Sequence, residues 1–261
     1  MSDQPHALLE HAGDGVAVLR LNRPAKLNAL SDDTVRAIFG LLDEVAGSDA
    51  RALIVTGNGR GFCSGFDLTL AGAAEGDGAQ TEGWVRRQEM FGSIVERLRA
   101  IPQPTIAAIN GAACGAGLSL ALACDTRIAA RSAKFNCAFI TIGMTSCDVG
   151  VSYLLPRAIG TTRAFELMLS GRMFFAEEAE RIGLVAHLHD DDKLMDGALA
   201  LARQIAANGE LNTWLTKRGM WANLEAGSLA AAIELENRTQ VLMQSTGSFR
   251  ERATARGFLK G

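Results

Sequence analysis

Backbone amide groups in two glycine-rich loops are the part of this sequence whose composition and spacing best fit a chemical role. Residues 56–68 place four glycines among small side chains, and residues 111–117 repeat that composition as Gly-Ala-Ala-Cys-Gly-Ala-Gly. Glycine permits backbone angles and close approaches that other residues forbid. Two N–H groups aimed at one small anionic group form an oxyanion hole. We expect these loops to bind an oxygen on which negative charge develops; tight loop packing alone is the alternative interpretation.

Each loop follows a predicted strand that can hold it in place. Residues 52–55 (Ala-Leu-Ile-Val) and 105–109 (Thr-Ile-Ala-Ala-Ile) are short apolar runs with β-branched side chains. Such runs, ended by glycine, indicate buried strands. Residues 118–123 then form an apolar stretch typical of a buried helix. The sequence therefore repeats one unit, a buried strand followed by a glycine-rich loop.

Other motifs for catalysis or nucleotide binding fail on spacing. Phe62 stands where a G-x-G-x-x-G motif beginning at residue 57 needs glycine, and no G-x-x-x-x-G-K-[ST] occurs. Ser64 does not lie in G-x-S-x-G. His187 and His189 are one residue apart on a predicted strand, where an exposed strand end explains them better than a metal site. We expect neither a bound metal nor a Ser-His-Asp mechanism.

Composition sets the class of protein. The chain has 261 residues, of which 48% are hydrophobic, enough for a large core. A net charge of −3 gives no general attraction for nucleic acid or an anionic membrane. No apolar run approaches the roughly 20 residues of a transmembrane helix. Five cysteines without CxxC spacing indicate reduced thiols, so the expected location is cytoplasmic.

The remaining pattern predicts an α/β protein with a helical end. Residues 7–22 read as a β-hairpin, and Ser31 is positioned to cap a following helix. After about residue 190 the pattern becomes almost wholly helical, without a linker. We predict an α/β core over residues 1–190 and a helical C-terminal region over 191–261.

Several segments resemble the crotonase (enoyl-CoA hydratase/isomerase) superfamily, in the expected order and over nearly the whole chain. They are residues 23–30, 61–68, 108–117, 170–172, 176–179 and 182–185. The resemblance implies a spiral of ββα units followed by a helical trimerisation region, assembled as a homotrimer or a dimer of trimers. It also implies an acyl-CoA thioester substrate. Coenzyme A is then part of the substrate, and no separate cofactor is implied.

The resemblance assigns roles to particular residues. The oxyanion donors would be the backbone N–H groups of Phe66 and Ala116. Residues matching the segments that line coenzyme A in relatives are Ala25, Lys26, Leu27, Ser64, Gly65, Asp67, Leu68, Gly115 and Phe139. Phe258 and Lys260 resemble a C-terminal pair that reaches a neighbouring subunit's coenzyme A. Taken by itself, Lys26 is either a contact to a phosphate or a solvated lysine.

The sequence departs from the superfamily at the two glutamates with which classical hydratases activate water. Ser119 and Phe139 stand at those positions, and neither is a useful general base. Asp148, in a segment where isomerases and other relatives place a catalytic acid, is the remaining candidate for proton transfer. It could instead only cap a helix beginning at Val149. We favour isomerase-type proton transfer by Asp148. A hydratase or hydrolase using Asp148, or a non-catalytic acyl-CoA-binding protein, remain the alternatives.

Overall fold

The structure is a computed structural model that describes residues 4–70 and 78–259 of the chain. The described residues form two compact units, the first ending at Ala207 and the second beginning at Asn208. None of the described helices is both long and apolar enough to cross a membrane.

The first unit is built around a six-stranded sheet whose strands occur in the order β1-β2-β3-β5-β7-β10. Strands β1 and β2 form the predicted antiparallel hairpin, and every other neighbouring pair in this sheet is parallel. The strands are β1 Ala7–His11, β2 Val16–Leu21, β3 Ala52–Gly57, β5 Thr105–Ile109, β7 Thr126–Ala130 and β10 His187–His189. Strands β3 and β5 are buried along their whole length, as the apolar runs predicted.

A second, four-stranded sheet has the order β4-β6-β8-β9. Its strands are β4 Gly61–Cys63, β6 Ala112–Cys114, β8 Lys134–Asn136 and β9 Phe174–Phe175. The chain therefore alternates between the sheets, with β3 leading to β4, β5 to β6, and β7 to β8. With the helices that follow these pairs, this is the predicted spiral of ββα units.

Helices complete the first unit. They are α1 Asp32–Ala46, α2 Gly78–Ala100, α3 Ala116–Ala123, α4 Val151–Ile159, α5 Thr161–Ser170, α6 Ala176–Arg181 and α7 Leu194–Ala206. The Ser31 side chain caps α1 as predicted, accepting a hydrogen bond of 3.2 Å from the Thr34 N–H. All eight residues of α3 are buried.

The first unit extends further along the chain than the predicted boundary at residue 190. Helix α7 places Leu194, Ala198 and Ala202 against the main sheet, where they share a core with Ile54 and Ile106. The four-residue spacing of these side chains puts them on one face of the helix. Because this face is buried on β-strands of the core, α7 belongs to the α/β unit.

The second unit consists of the three helices α8 Glu210–Asn223, α9 Leu229–Ser245 and α10 Ser248–Ala255. The Asn223 side chain of α8 donates a hydrogen bond of 3.1 Å to Glu236 of α9. Ser228 caps α9 through the Ala231 N–H. Large apolar side chains are exposed along the unit, namely Met220, Leu224, Leu229, Ile233, Leu235, Val241, Leu242, Phe249, Phe258 and Leu259.

Candidate active site

The two glycine-rich loops lie side by side because the short strands before them are neighbours. Strand β4 pairs in parallel with β6, with Gly61 opposite Ala112 and Cys63 opposite Ala113. The chains leaving the two strands therefore run in the same direction. A Cβ atom built on Gly117 would stand 2.0 Å from the carbonyl oxygen of Cys63. Only glycine allows this approach, and it fixes the start of α3 against the first loop.

The backbone N–H of Phe66, one of the two predicted oxyanion donors, points away from the neighbouring strand segment at Leu30. Leu30 donates to the Gly65 carbonyl (2.7 Å) and accepts from the Asp67 N–H (2.9 Å), so Phe66 forms an isolated parallel bridge with Leu30. In such a bridge the N–H of the central residue points to the opposite side. That leaves the Phe66 N–H directed away from Leu30.

Ala116 contributes its N–H from the first position of α3. The first N–H groups of a helix have no acceptor within it, and they carry the positive end of the helix dipole. Gly115, with φ 51° and ψ −121°, makes the turn that starts this helix, a conformation that side-chain-bearing residues rarely adopt. Within residues 4–70 and 78–259, no acceptor of the chain takes the N–H of either Phe66 or Ala116. Two N–H groups on adjacent loops, neither of them bonded within the described residues, meet the requirement of an oxyanion hole.

The segment predicted to meet coenzyme A lies against the same loop. The Ser64 N–H donates to the Leu27 carbonyl (3.0 Å), and its hydroxyl donates to the Lys26 carbonyl (3.3 Å). Ala25 and Lys26 are exposed at the surface of this junction. Asn28 links this junction to strand β4, because its buried side-chain amide donates a hydrogen bond to the Gly61 carbonyl at 2.7 Å. The structure thus joins the two predicted parts of the coenzyme A surface.

Asp67 and Leu68 differ in what their side chains can offer a ligand. The Asp67 carboxylate is buried, accepts from the Thr69 N–H and hydroxyl, and pairs with Arg23 at 2.8 Å. Burial by itself would raise the pKa of this carboxyl, but the hydrogen bonds from Thr69 and Arg23 outweigh burial and lower the pKa. The Asp67 side chain therefore stabilises the loop by its internal hydrogen bonds, whereas the Leu68 side chain is exposed and can contact a ligand.

The positions that match the two glutamates of hydratases hold buried side chains without a base. The Ser119 hydroxyl donates back to the Gly115 carbonyl at 3.4 Å, one helical turn earlier. The ring of Phe139 lies 3.7 Å from the position that a Cβ on Gly115 would occupy. An apolar ring therefore borders the second glycine-rich loop at Gly115.

Asp148 has a carboxyl group in which one oxygen, Oδ1, accepts two hydrogen bonds and the other accepts none from the described residues. Its Oδ1 accepts hydrogen bonds from the Val149 N–H (2.8 Å) and from the side-chain amide of Gln88. Partial burial raises the pKa of Asp148 above its ordinary value, although both hydrogen bonds act in the other direction. A raised pKa brings a carboxyl closer to the condition of a general base that can also return its proton.

Asp148 does not cap a helix, so that alternative interpretation is wrong. Helix α4 begins at Val151 with Gly150 in the N-cap position. Val149 has φ 41° and Gly150 has φ 78°, and two left-handed residues in succession delay the start of the helix. The Asp148 side chain consequently bonds the N–H of the next residue instead of a helical N–H. A β-branched residue with positive φ is strained, a feature that concentrates at functional sites.

Helix α2 connects Asp148 to the first glycine-rich loop through side chains to which the sequence alone assigns no role at the site. Gln88 contacts Asp148, and its neighbour Arg87 lies over the ring of Phe66, 4.6 Å from the ring centroid. Phe91 packs on Phe66 with 4.7 Å between ring centroids. Arg87 is anchored by an ion pair of 2.6 Å with Asp32 of α1. Arg87 and Gln88 precede Phe91 by four and three positions, the spacings that bring side chains together on a helix, and this spacing is the sequence signal for the face.

The C-terminal pair lies apart from these residues in the chain. Phe258 is exposed in the second unit, and Lys260 lies outside the described residues. Their role in coenzyme A binding remains a prediction.

Comparison with known proteins identifies the relatives of this chain. The family model described as enoyl-CoA hydratase/isomerase matches residues 11–259. A probable enoyl-CoA hydratase, echA12 of Mycobacterium bovis, is 42% identical over 253 residues, covering 95% of this chain and 89% of that protein. A probable enoyl-CoA hydratase/isomerase from Mycobacterium abscessus superposes with a TM-score of 0.88 at 39% identity, covering 96% and 94% of the two chains. A monofunctional enoyl CoA isomerase from M. smegmatis has a TM-score of 0.76 at 41% identity, covering 88% and 99%.

Proposed function

The chain belongs to the enoyl-CoA hydratase/isomerase family, and we propose that it is an isomerase that moves a double bond along an enoyl-CoA thioester. This proposal rests on which residues at the site carry a carboxyl group and which do not. Asp148 is partly buried with a raised pKa, while the two positions for hydratase glutamates hold Ser119 and Phe139. The M. smegmatis relative, named as an isomerase, supports the same choice.

The proposed reaction begins with removal of a proton from C2 of a 3-enoyl thioester. Asp148 takes that proton, and the electron pair delocalises into the thioester carbonyl to give a dienolate. The N–H groups of Phe66 and Ala116 bind the oxygen that becomes negative. One such donor is worth about 2.7–4 kcal/mol in the transition state.

The same carboxyl group completes the reaction. Protonated Asp148 returns a proton to C4, the double bond comes to rest between C2 and C3, and the carboxylate is regenerated. No water is consumed. This suits a site in which the two positions of the hydratase glutamates hold the apolar ring of Phe139 and a Ser119 hydroxyl bonded to the Gly115 carbonyl. A carboxyl with raised pKa serves both halves of this cycle better than one with an ordinary pKa.

Coenzyme A would be bound by the junction of residues 25–27 with the Ser64–Gly65 turn. Lys26 is exposed there and can approach a phosphate, while the exposed Leu68 offers an apolar surface. We propose that Asp67 contributes indirectly, by holding this loop through Arg23.

A hydratase or a hydrolase working through Asp148, and a non-catalytic acyl-CoA-binding protein, are the competing functions. The test is to incubate the protein with 3-hexenoyl-CoA, crotonyl-CoA and hexanoyl-CoA in deuterated water and to follow each by chromatography and mass spectrometry. We expect 3-hexenoyl-CoA to convert to 2-hexenoyl-CoA without addition of water. Three outcomes would contradict the proposal. Addition of water to crotonyl-CoA at a comparable rate would indicate a hydratase, and release of free coenzyme A would indicate a hydrolase. No change in any thioester would indicate a non-catalytic acyl-CoA-binding protein.

A further inference from the structure

Gln88 holds Asp148 from a different element of the fold. The two residues are 60 positions apart, and the Gln88 amide on α2 reaches across to donate to Oδ1 of Asp148. The Val149 N–H donates to the same oxygen. Among the described residues, no group donates to Oδ2. The carboxyl group thus has two distinguishable oxygens.

We propose that Gln88 is a positioning residue that fixes Asp148 through Oδ1 and leaves Oδ2 as the oxygen that takes and returns the substrate proton. This inference rests on the proposed function, because it concerns how Asp148 would work as the base. It adds a residue to the reaction that sequence motifs do not mark.

The need for such a residue follows from the freedom of an aspartate side chain. The terminal torsion of aspartate is broad and nearly two-fold, so a half-exposed carboxyl exchanges its oxygens readily. The Val149 N–H alone is a single anchor on a turn strained at φ 41°. A second donor from a separate helix fixes the plane of the carboxyl group. Reacting groups gain most when they are held near the geometry of attack.

Helix α2 also ties this carboxyl group to the oxyanion loop. The residue before Gln88 is Arg87, which lies over the Phe66 ring and is paired with Asp32. Adjacent positions of one helix therefore contact the proton-transfer group and the residue that carries one oxyanion donor. This arrangement sets the distance between the two parts of the site through a rigid element.

The hydrogen bond from Gln88 affects the pKa of Asp148, so its loss can be measured by titration. Burial raises the pKa of Asp148, and the hydrogen bonds from Val149 and Gln88 lower it; no charged side chain of the described residues contributes. Loss of the Gln88 amide must therefore move the pKa further up. Introduction of a carboxylate at position 88 must move it up more, because two neighbouring carboxylates resist ionising together.

The experiment is a titration of Asp148 in the full-length protein, free of substrate. Protein carrying ¹³C-labelled aspartate is titrated by NMR, and the Asp148 resonance is assigned by its loss in Asp148→Asn. We expect the pKa of Asp148 to increase in the order wild type, Gln88→Met, Gln88→Glu. Glu89→Gln, which removes a charge from the next, exposed residue of α2, is the matched control and should leave the pKa unchanged.

Turnover of 3-hexenoyl-CoA provides the second readout. Gln88→Met should lower kcat by roughly 10-fold or more, with a smaller change in KM, because orientation is lost while the binding surface is intact. The acid limb of its pH profile should move up with the titrated pKa. Its melting temperature should stay near that of Glu89→Gln, which separates positioning from a folding defect.

Failure of this inference can be told apart from failure of the proposed function. If Gln88→Met leaves the NMR pKa of Asp148 unchanged, the inference is overturned whatever the reaction. If Asp148→Asn is inactive while Gln88→Met keeps the wild-type kcat, the proposed function stands and the positioning role does not. If Asp148→Asn keeps full turnover, the proposed function falls and takes this inference with it.

Discussion

The backbone of Gly65 lies directly against that of Ala116. A Cβ atom built on Gly65 would stand 3.4 Å from the Ala116 nitrogen and 2.7 Å from the carbonyl oxygen of Cys114. Gly65 also has φ 99°, a conformation that side chains disfavour. The spacing of the two loops, and with it the spacing of the proposed oxyanion donors, depends on the absence of a side chain at Gly65.

Gly65→Ala should therefore reduce turnover of 3-hexenoyl-CoA by roughly 100-fold or more. The methyl group would push the Phe66 N–H away from the Ala116 N–H, and loss of one oxyanion donor typically costs 10²–10³ in kcat. Steady-state kinetics and thermal unfolding of the same preparation measure the two effects separately.

The matched control is Gly40→Ala in α1, where an added Cβ meets no atom within 4 Å. That variant should keep full turnover and gain up to about 1 kcal/mol of stability, since alanine is the better helix former. Wild-type turnover in Gly65→Ala would show that this glycine does not set the donor spacing.

Hydration of crotonyl-CoA should be very slow in this protein. The Ser119 hydroxyl is buried and bonded to the Gly115 carbonyl, and Phe139 cannot carry a proton. Absence of a positioned acid or base typically costs 10²–10⁴-fold. Formation of 3-hydroxybutyryl-CoA, followed by chromatography, measures this directly. A rate equal to that of an efficient hydratase, run alongside, would mean that another group activates water.

The junction of residues 25–27 with Ser64 should bind coenzyme A thioesters. Calorimetry with hexanoyl-CoA, which cannot isomerise, tests this binding without turnover. Lys26→Met should weaken binding by up to about fivefold at low salt, as expected for an exposed charge pair. Lys193→Met, which removes a lysine paired with Asp196, is the control and should bind normally.

Two outcomes of the calorimetry would contradict different parts of the proposal. If hexanoyl-CoA does not bind even at millimolar concentration, the coenzyme A surface is wrong. If Lys26→Met binds as tightly as the wild type, the surface stands and Lys26 is simply solvated.

The protein should assemble as a trimer or a dimer of trimers. The second unit has little buried apolar surface of its own and exposes side chains such as Val241, Leu242 and Phe249. Exposed apolar groups in this number are typical of surfaces that are covered in the assembled protein. Analytical ultracentrifugation should find no stable monomer at micromolar concentration. A Val241→Lys, Leu242→Lys double variant should weaken assembly, while a monomeric wild type would refute the expectation.

The parts of the structure that sequence predicted are those encoded locally. The strands at 52–57 and 105–109 and the Ser31 cap follow from short runs of residues, and the structure places each where the pattern indicated. The superfamily resemblance then predicts that the N–H groups of Phe66 and Ala116 act together as oxyanion donors. Their adjacency depends on parallel pairing of β4 with β6, which no local pattern encodes.

What the sequence missed depends on long-range contacts or unusual backbone angles. Gln88 and Asp148 are separated by 60 positions, so only the packing of α2 brings them together. The helix after Asp148 begins at Val151, two residues later than the sequence predicts, because nothing in the sequence indicates a positive φ at a valine. The change of pattern near residue 190 precedes the end of the first compact unit at Ala207, because α7, helical in pattern, packs on the sheet.

Asp148→Asn keeps the shape of the side chain and removes its ability to accept a proton. Turnover of 3-hexenoyl-CoA should fall by roughly 10²-fold or more, whereas binding of hexanoyl-CoA should be nearly unchanged. Asparagine can still accept the hydrogen bonds from Gln88 and Val149 through Oδ1. A fall in turnover therefore reports lost proton transfer and not a rearranged loop.

The difference in stability between the wild type and Asp148→Asn should depend on pH in a defined direction. Because burial raises the pKa of Asp148, the folded protein binds this proton more tightly than the unfolded chain does. Wild-type stability should therefore decline as pH rises from the ordinary aspartate pKa through the raised value, and the decline should be complete above it. Asparagine does not titrate, so the variant should melt at a higher temperature than the wild type at neutral pH. The difference should vanish below the ordinary pKa, where wild-type Asp148 is protonated. A variant that melts lower at neutral pH would show that the ionised carboxyl stabilises the fold, contrary to a base kept ready for proton transfer.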